Sequence, residues 1–208
     1  MSTSFNAPVR TGQITAWRPS TLLGYGIVAF ELLSLLTRKD WRGSVEPVSH
    51  VGSVWVPTRS MEWTVRERRV RVSEGVPYAV DAGPDGLWPT ALAVEVQACD
   101  GIILLELPHK RPLNIEERAD AHFREAIGTP YDFGALGMLM LLCPWNWRDA
   151  KIERTLPAIC SAAVSRAHEA MYGVDPVPWA RERYTVPSDY LDPRTGRTVL
   201  TRALALAS

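Results

Sequence analysis

The chain is expected to fold as one α+β domain with antiparallel strands. Three observations carry that expectation. Its 208 residues, 46% of them hydrophobic, suit a single core and would be cramped as two packed domains. The coarse order of elements reads helix, strand, insertion, hairpin, helix, helix, with no internal repeat and no low-complexity block. Two apolar runs, 91–97 and 101–107, flank Asp100-Gly101, a dipeptide that favours a tight hairpin turn.

Taken in order, residues 1–20 are mixed and end in Arg18-Pro19-Ser20, a loop and helix cap. From Thr21 to Leu36 apolar side chains crowd a helix nearly all round, so it is expected to be buried. A polar link, 37–47, leads to Val48–Val56 (VSHVGSVWV), a β-rich run. Residues 57–90 are uneven, with a basic strand (VRERRVRV, 65–72), proline and glycine breaks and Asp85-Gly86. They read as an inserted hairpin or lobe. Asn114 followed three residues later by Glu117 is a capping pattern. Ile115, Ala119, Phe123, Ala126 and Ile127 then recur at helical spacing until Gly128 and Pro130. Ala135–Cys143 (ALGMLMLLC) reads as a buried helix, and a further helix runs from about Cys160 to Met171. The proline-rich tail from Gly173 is expected to be mostly loop.

Charge excludes some partners. Twenty-three basic side chains balance 23 acidic ones, which gives no electrostatic reason to expect nucleic acid or an anionic membrane. The basic run 65–72 alternates with valines and reads as a half-exposed strand face. Cys99, Cys143 and Cys160 form neither a disulfide framework nor a zinc pattern. No apolar leader opens the chain and no run is long enough to span a bilayer, so the default compartment is the cytoplasm, with a virion- or phage-associated setting as the alternative.

Three residues attract chemistry. Cys160 opens a helix, where the positive end of the dipole favours the thiolate and unpaired N–H groups can hold an oxyanion. The small Ser161, Ala162 and Ala163 leave room for a substrate; a buried inert cysteine is the alternative. His50 sits in a strand with Gly52 clearing space on its face, although a structural histidine would look the same. His109, in a polar loop, and His122 and His168, on helices, are weaker candidates. Glu95 is a carboxylate within the apolar run ALAVEVQ, a costly placement unless paired, and orienting a histidine would pair it. Glu62 is its rival, and a buried salt bridge is the plain alternative.

Together, Ser49-His50-Val51-Gly52, Glu95 ahead of Asp100-Gly101-Ile102, Gly128-Thr129-Pro130-Tyr131-Asp132-Phe133, Ile159-Cys160-Ser161 and Pro187-Ser188-Asp189 resemble the permuted branch of the NlpC superfamily. This is the YiiX-like group of papain-fold hydrolases, distantly similar to the lecithin:retinol acyltransferases. The resemblance spans roughly residues 12–192 apart from the insertion. It implies a circularly permuted papain-like domain with an antiparallel sheet packed on the cysteine helix. It also implies Cys160 as nucleophile, His50 as base and Glu95 as the polar third member, with Tyr131 and Asp132 shaping the site. The family commonly has a carboxylate soon after the cysteine; this chain has Ser161-Ala162.

The activity so implied is a thiol hydrolase acting on an amide or peptide bond, for instance a cell-wall peptide, through an acyl-enzyme and without metal or organic cofactor. A lipid ester is the second substrate class. A different reading is a viral or assembly protein that keeps the fold without turnover and contacts its partner through residues 57–90.

Overall fold

The computed structural model describes residues 8–20, 24–29, 48–98, 102–132, 134, 159–178 and 186–203. Strand β1 (Ile14–Trp17) lies at the middle of a sheet, all four residues buried. It is hydrogen-bonded on one side to β2 (His50–Trp55) and on the other to β7 (Ile102–Glu106). With β5 (Tyr78–Gly83), β6 (Gly86–Ala91) and β8 (Thr198–Ala203), the six strands run in the order β6-β5-β2-β1-β7-β8, every neighbour antiparallel. The chain is thus α+β with antiparallel strands.

Strand parity divides the apolar side chains between two faces. Ile14, Ala16, Val51, Trp55, Tyr78, Val80, Ile103 and Leu105 share one face. They form the main core with Ile115, Ala119 and Phe123 of α3 (Ile115–Ala126) and with Cys160, Val164, Ala167 and Met171 of α4 (Cys160–Tyr172). On the other face Trp17, Ala79 and Ile102 meet Leu92 and Val96 of α2 (Leu92–Ala98), one helical turn apart. A fully buried Leu or Phe contributes about 1.5–3 kcal/mol through apolar burial.

Several expectations change. Residues 92–98 are helical, not a hairpin strand; Leu92, Glu95 and Gln97 are good helix formers, and strand β7 finds its partners in β1 and β8 instead. Asp100-Gly101 lies outside the described residues. The tail is not only loop: β8 pairs with β7, and two short 3-10 helices, Pro187–Leu191 and Pro193–Thr195, precede it. Asn114 makes no side-chain cap; its carbonyl accepts the Arg118 N–H at 3.1 Å instead. Residues 24–29 are helical, here α1, and the rest of the expected Thr21–Leu36 helix lies outside the described residues, as does Ala135–Cys143. Among the described residues no helix is long and apolar enough to cross a membrane.

The stretch 57–90 holds two different things. β3 (Met61–Val65) and β4 (Arg68–Val72) form a separate two-stranded hairpin that buries Val70 and Val72 in the main core. Arg69 and Arg71 point outward and pair with Glu62, so residues 68–72 alternate as expected, whereas Arg66 and Glu67 of the same basic run form a turn rather than strand. Its second half, from Tyr78, belongs to the main sheet. The hairpin turns on Arg66 and Glu67, both with positive φ (48° and 65°), a conformation that suits Asn-Gly far better. Arg66→Asn with Glu67→Gly should therefore stabilise the protein by about 1–2 kcal/mol, read as a rise in the thermal midpoint. An unchanged or lower midpoint would mean that the turn carries no strain.

Candidate functional site

Helix α4 begins at Cys160 because Ile159 is extended (φ −80°, ψ 161°) and the first turn closes through the Ala163 N–H to the Ile159 carbonyl at 3.0 Å. The N-cap residue Ile159 makes no side-chain cap bond. The helix ends where Gly173 takes the left-handed conformation and its N–H meets the Glu169 carbonyl at 2.8 Å. Cys160 is a free, buried thiol packed into the main core through its helix.

His50 is the first residue of β2, at the rim of the sheet. Parity sets it on the face opposite α4, beside Gly52, Asp81, Thr15 and Trp17. At the rim its ring is close enough to the Cys160 thiol for the charge and hydrogen-bonding capacity of that thiol to raise the His50 pKa. The sequence-predicted nucleophile and base are therefore adjacent.

The carboxylate on His50 is Asp81, not Glu95. Asp81 Oδ2 lies 2.6 Å from His50 Nε2. Asp81 reaches it because β5 pairs with β2, setting Asp81 opposite Gly52, two residues along from His50 on the same face. Glu95, expected on an apolar strand beside His50, lies instead on helix α2. Glu62 is also elsewhere, on the outer side of the β3–β4 hairpin. There the Arg69 hydrogen bond, ahead of that from Arg71, holds its carboxyl below the usual range despite some desolvation.

The electrostatics follow from these contacts. Burial alone would lower the His50 pKa. The charge on Cys160, the hydrogen bonds to Asp81 and Cys160, and the Asp81 charge outweigh it and raise the pKa well above the ordinary imidazole value. The His50 side chain is 28% exposed and that of Asp81 21%, so the pair stands at an opening rather than in the core. Trp17, 4% exposed, covers one side, its ring centre 5.1 Å from that of His50.

Gly52 makes this packing possible. A Cβ there would sit 2.8 Å from Trp17 Cη2, 3.0 Å from Asp81 Cβ and 3.1 Å from Thr15 Oγ1. Gly52→Ala should cost about 1–3 kcal/mol and spread the His50–Asp81 pair. The checks are a lowered thermal midpoint and slower alkylation of Cys160 by iodoacetamide. A variant with both unchanged would show that Trp17 has slack.

Other residues surround the sulfur. Tyr131 feels the Cys160 charge; burial first, then Cys160 and Asp132, raise its phenol pKa. Asp132 is thus close to the site as well. Tyr190, fully buried, lies in the same field. His109, His122 and His168 stay apart from this group. His168 is 1% exposed, stacked on Tyr172 at 4.2 Å, and burial, then the nearby His109, push its pKa down to about 3. Burial likewise lowers His109 and His122, ahead of any nearby charge. Cys99 and Cys143 lie outside the described residues. Among those described, no group of three or more His, Cys, Asp or Glu is arranged to hold a metal ion.

Sequence reasoning missed Asp81, although a signal was present. Tyr-Ala-Val-Asp-Ala-Gly is a short apolar run that leads into Pro84-Asp85-Gly86 and carries one carboxylate.

No family model matches the chain, and no curated protein matches it. Among solved structures, the chain is similar to the crystal structure of the metalloprotein YiiX from Escherichia coli O157:H7. The two are 14% identical with a TM-score of 0.48, over 80% of this chain and 68% of that one.

Proposed function

We propose that the protein is a thiol hydrolase that cleaves an amide or peptide bond, with Cys160 as nucleophile, His50 as base and acid, and Asp81 as the residue that orients His50. Its layout is read as a permuted papain-like domain of the NlpC superfamily. The observation that carries the reading is a single imidazole held by a carboxylate at 2.6 Å and in contact with a thiol at a helix N-terminus.

Asp81 accepts from Nε2–H, which leaves Nδ1 as the nitrogen that takes the thiol proton. The thiolate attacks the substrate carbonyl carbon, forming a C–S bond and an oxyanion that the Cys160 N–H at the helix head can hold. As the intermediate collapses, the C–N bond breaks and the imidazolium returns its proton to the leaving amine. Water, deprotonated by His50, then attacks the thioester and releases the acid and the free thiol.

An amide is preferred as substrate because it needs both a strong nucleophile and a protonated leaving group, and this arrangement supplies both. Incubation with muropeptide and γ-glutamyl substrates, read by mass spectrometry, is the test. Cleavage lost in Cys160→Ser supports the reading. Turnover of short fatty-acyl esters alone reassigns the substrate to lipid. No turnover of either, from protein with a verified free Cys160 thiol, favours a non-catalytic assembly role.

A further inference from the structure

Cys160 heads a helix whose N-cap residue, Ile159, has no polar side chain to cap it, so other contacts have to steady its first turn. The turn is closed by one local bond, Ala163 N–H to the Ile159 carbonyl. A further fastening comes from far along the chain. Tyr190, on the 3-10 helix Pro187–Leu191, sends its side chain between the first and second turns of α4. Its phenol oxygen lies 2.7 Å from the Ser161 carbonyl and 2.7 Å from Ser165 Oγ.

The proton order in this trio is fixed by chemistry. The Ser161 carbonyl only accepts, so the phenol donates to it, and the Ser165 hydroxyl donates to the phenol oxygen. Both Tyr190 and Ser165 are buried, so water does not compete for these bonds. The segment that presents Tyr190 is itself braced. Asp189 Oδ2 accepts the Val186 N–H at 2.9 Å, and the Asp192 carbonyl accepts the Thr195 hydroxyl at 2.7 Å. Burial, which outweighs the lowering from Ser165, raises the phenol pKa well above its ordinary value, with the charges of Asp175, Asp189 and Cys160 adding to it. The donor therefore stays protonated at any working pH.

We propose that Tyr190 is a positioning residue for the thiol: by clamping the Ser161–Ala162 peptide group, one residue beyond Cys160, it keeps the sulfur within reach of His50. The proposal rests on the Cys160–His50 reading above and adds a residue that does not touch the reacting atoms. It also assigns a use to the closing segment around Pro187-Ser188-Asp189, which holds the cysteine helix from behind.

The test is a double-mutant cycle on the full chain, read as the rate of Cys160 alkylation by limiting iodoacetamide at neutral pH with peptide mapping. Tyr190→Phe should slow Cys160 labelling about tenfold in the native background, the size of one lost hydrogen bond. In the His50→Ala background the same change should slow it less than about twofold, because the geometry it protects is gone. A purely structural role would lower the thermal midpoint and act equally in both backgrounds, which would overturn the proposal. So would a Tyr190→Phe rate equal to that of the unmodified protein. If His50→Ala itself labels as fast as the unmodified protein, the Cys160–His50 reading fails instead. Should Tyr190→Phe not fold, Ser165→Ala removes only the donor to the phenol. It should slow labelling about threefold in the native background alone; equal rates in both backgrounds would again overturn the clamp.

Discussion

Replacing His50 by alanine should lower turnover about a thousandfold, the scale of losing general acid–base catalysis from one positioned side chain. Cys160→Ser should do as much, because a hydroxyl is a far weaker nucleophile at neutral pH. The pH profile carries further information. With its folded pKa raised above about 6.5, His50 in the imidazolium–thiolate pair keeps the proton that the leaving amine needs beyond the ordinary imidazole range, so the alkaline limb of activity should lie above that value. The same sign governs stability: the contribution of His50 is complete below its unfolded pKa and is lost as pH rises through the folded one. Thermal midpoints across that window, compared with His50→Ala, should converge on the alkaline side. Divergence there would mean that the imidazolium is not what Asp81 and Cys160 stabilise.

Asp81→Asn should cost about ten- to a hundredfold in turnover, corresponding to about 1.5–3 kcal/mol for a hydrogen bond to a charged group. Removing the carboxylate takes away both its hydrogen bond and its charge, so the alkaline limb should also move to lower pH. Glu95→Gln is the informative control and should stay within about twofold, as expected for a substitution away from the reacting groups. A reversal, with Glu95→Gln inactive and Asp81→Asn near normal, would sink the assignment of Asp81.

That pair of variants marks where the sequence was legible. Cys160 and His50 could be read because each carries a local signature: a thiol heading an apolar helix face, and an imidazole in an alternating strand cleared by Gly52. Asp81 could not, because a carboxylate partner is chosen by strand pairing, and pairing is a non-local property. The glycine and proline breaks around Gly83-Pro84 resembled the edge of an insertion, whereas they form the turn between β5 and β6. Glu95 was misplaced by the opposite error: Ala-Leu-Ala-Val-Glu-Val-Gln satisfies an apolar strand and a short helix alike, and only packing of Leu92 and Val96 beneath Trp17 decides it. Strand β1 escaped notice because four residues are too few to show a period, yet its central place between β2 and β7 buries them all. Strand β8 is defined by its neighbour β7 rather than by its own residues.

The central sheet joins the first described strand to one near residue 200, and the three chemical groups come from β2, β5 and α4. None of these contacts is local, so folding has to close long loops before any of them forms. During synthesis and folding the thiol therefore has no imidazole beside it. On the proposed reading, a nascent chain behaves as an ordinary cysteine peptide, and Cys160 is activated only when β1 and β2 have paired and α4 has docked. Pulse alkylation during refolding should accordingly report a late, cooperative step, with Cys160 gaining reactivity in the same phase as the native sheet.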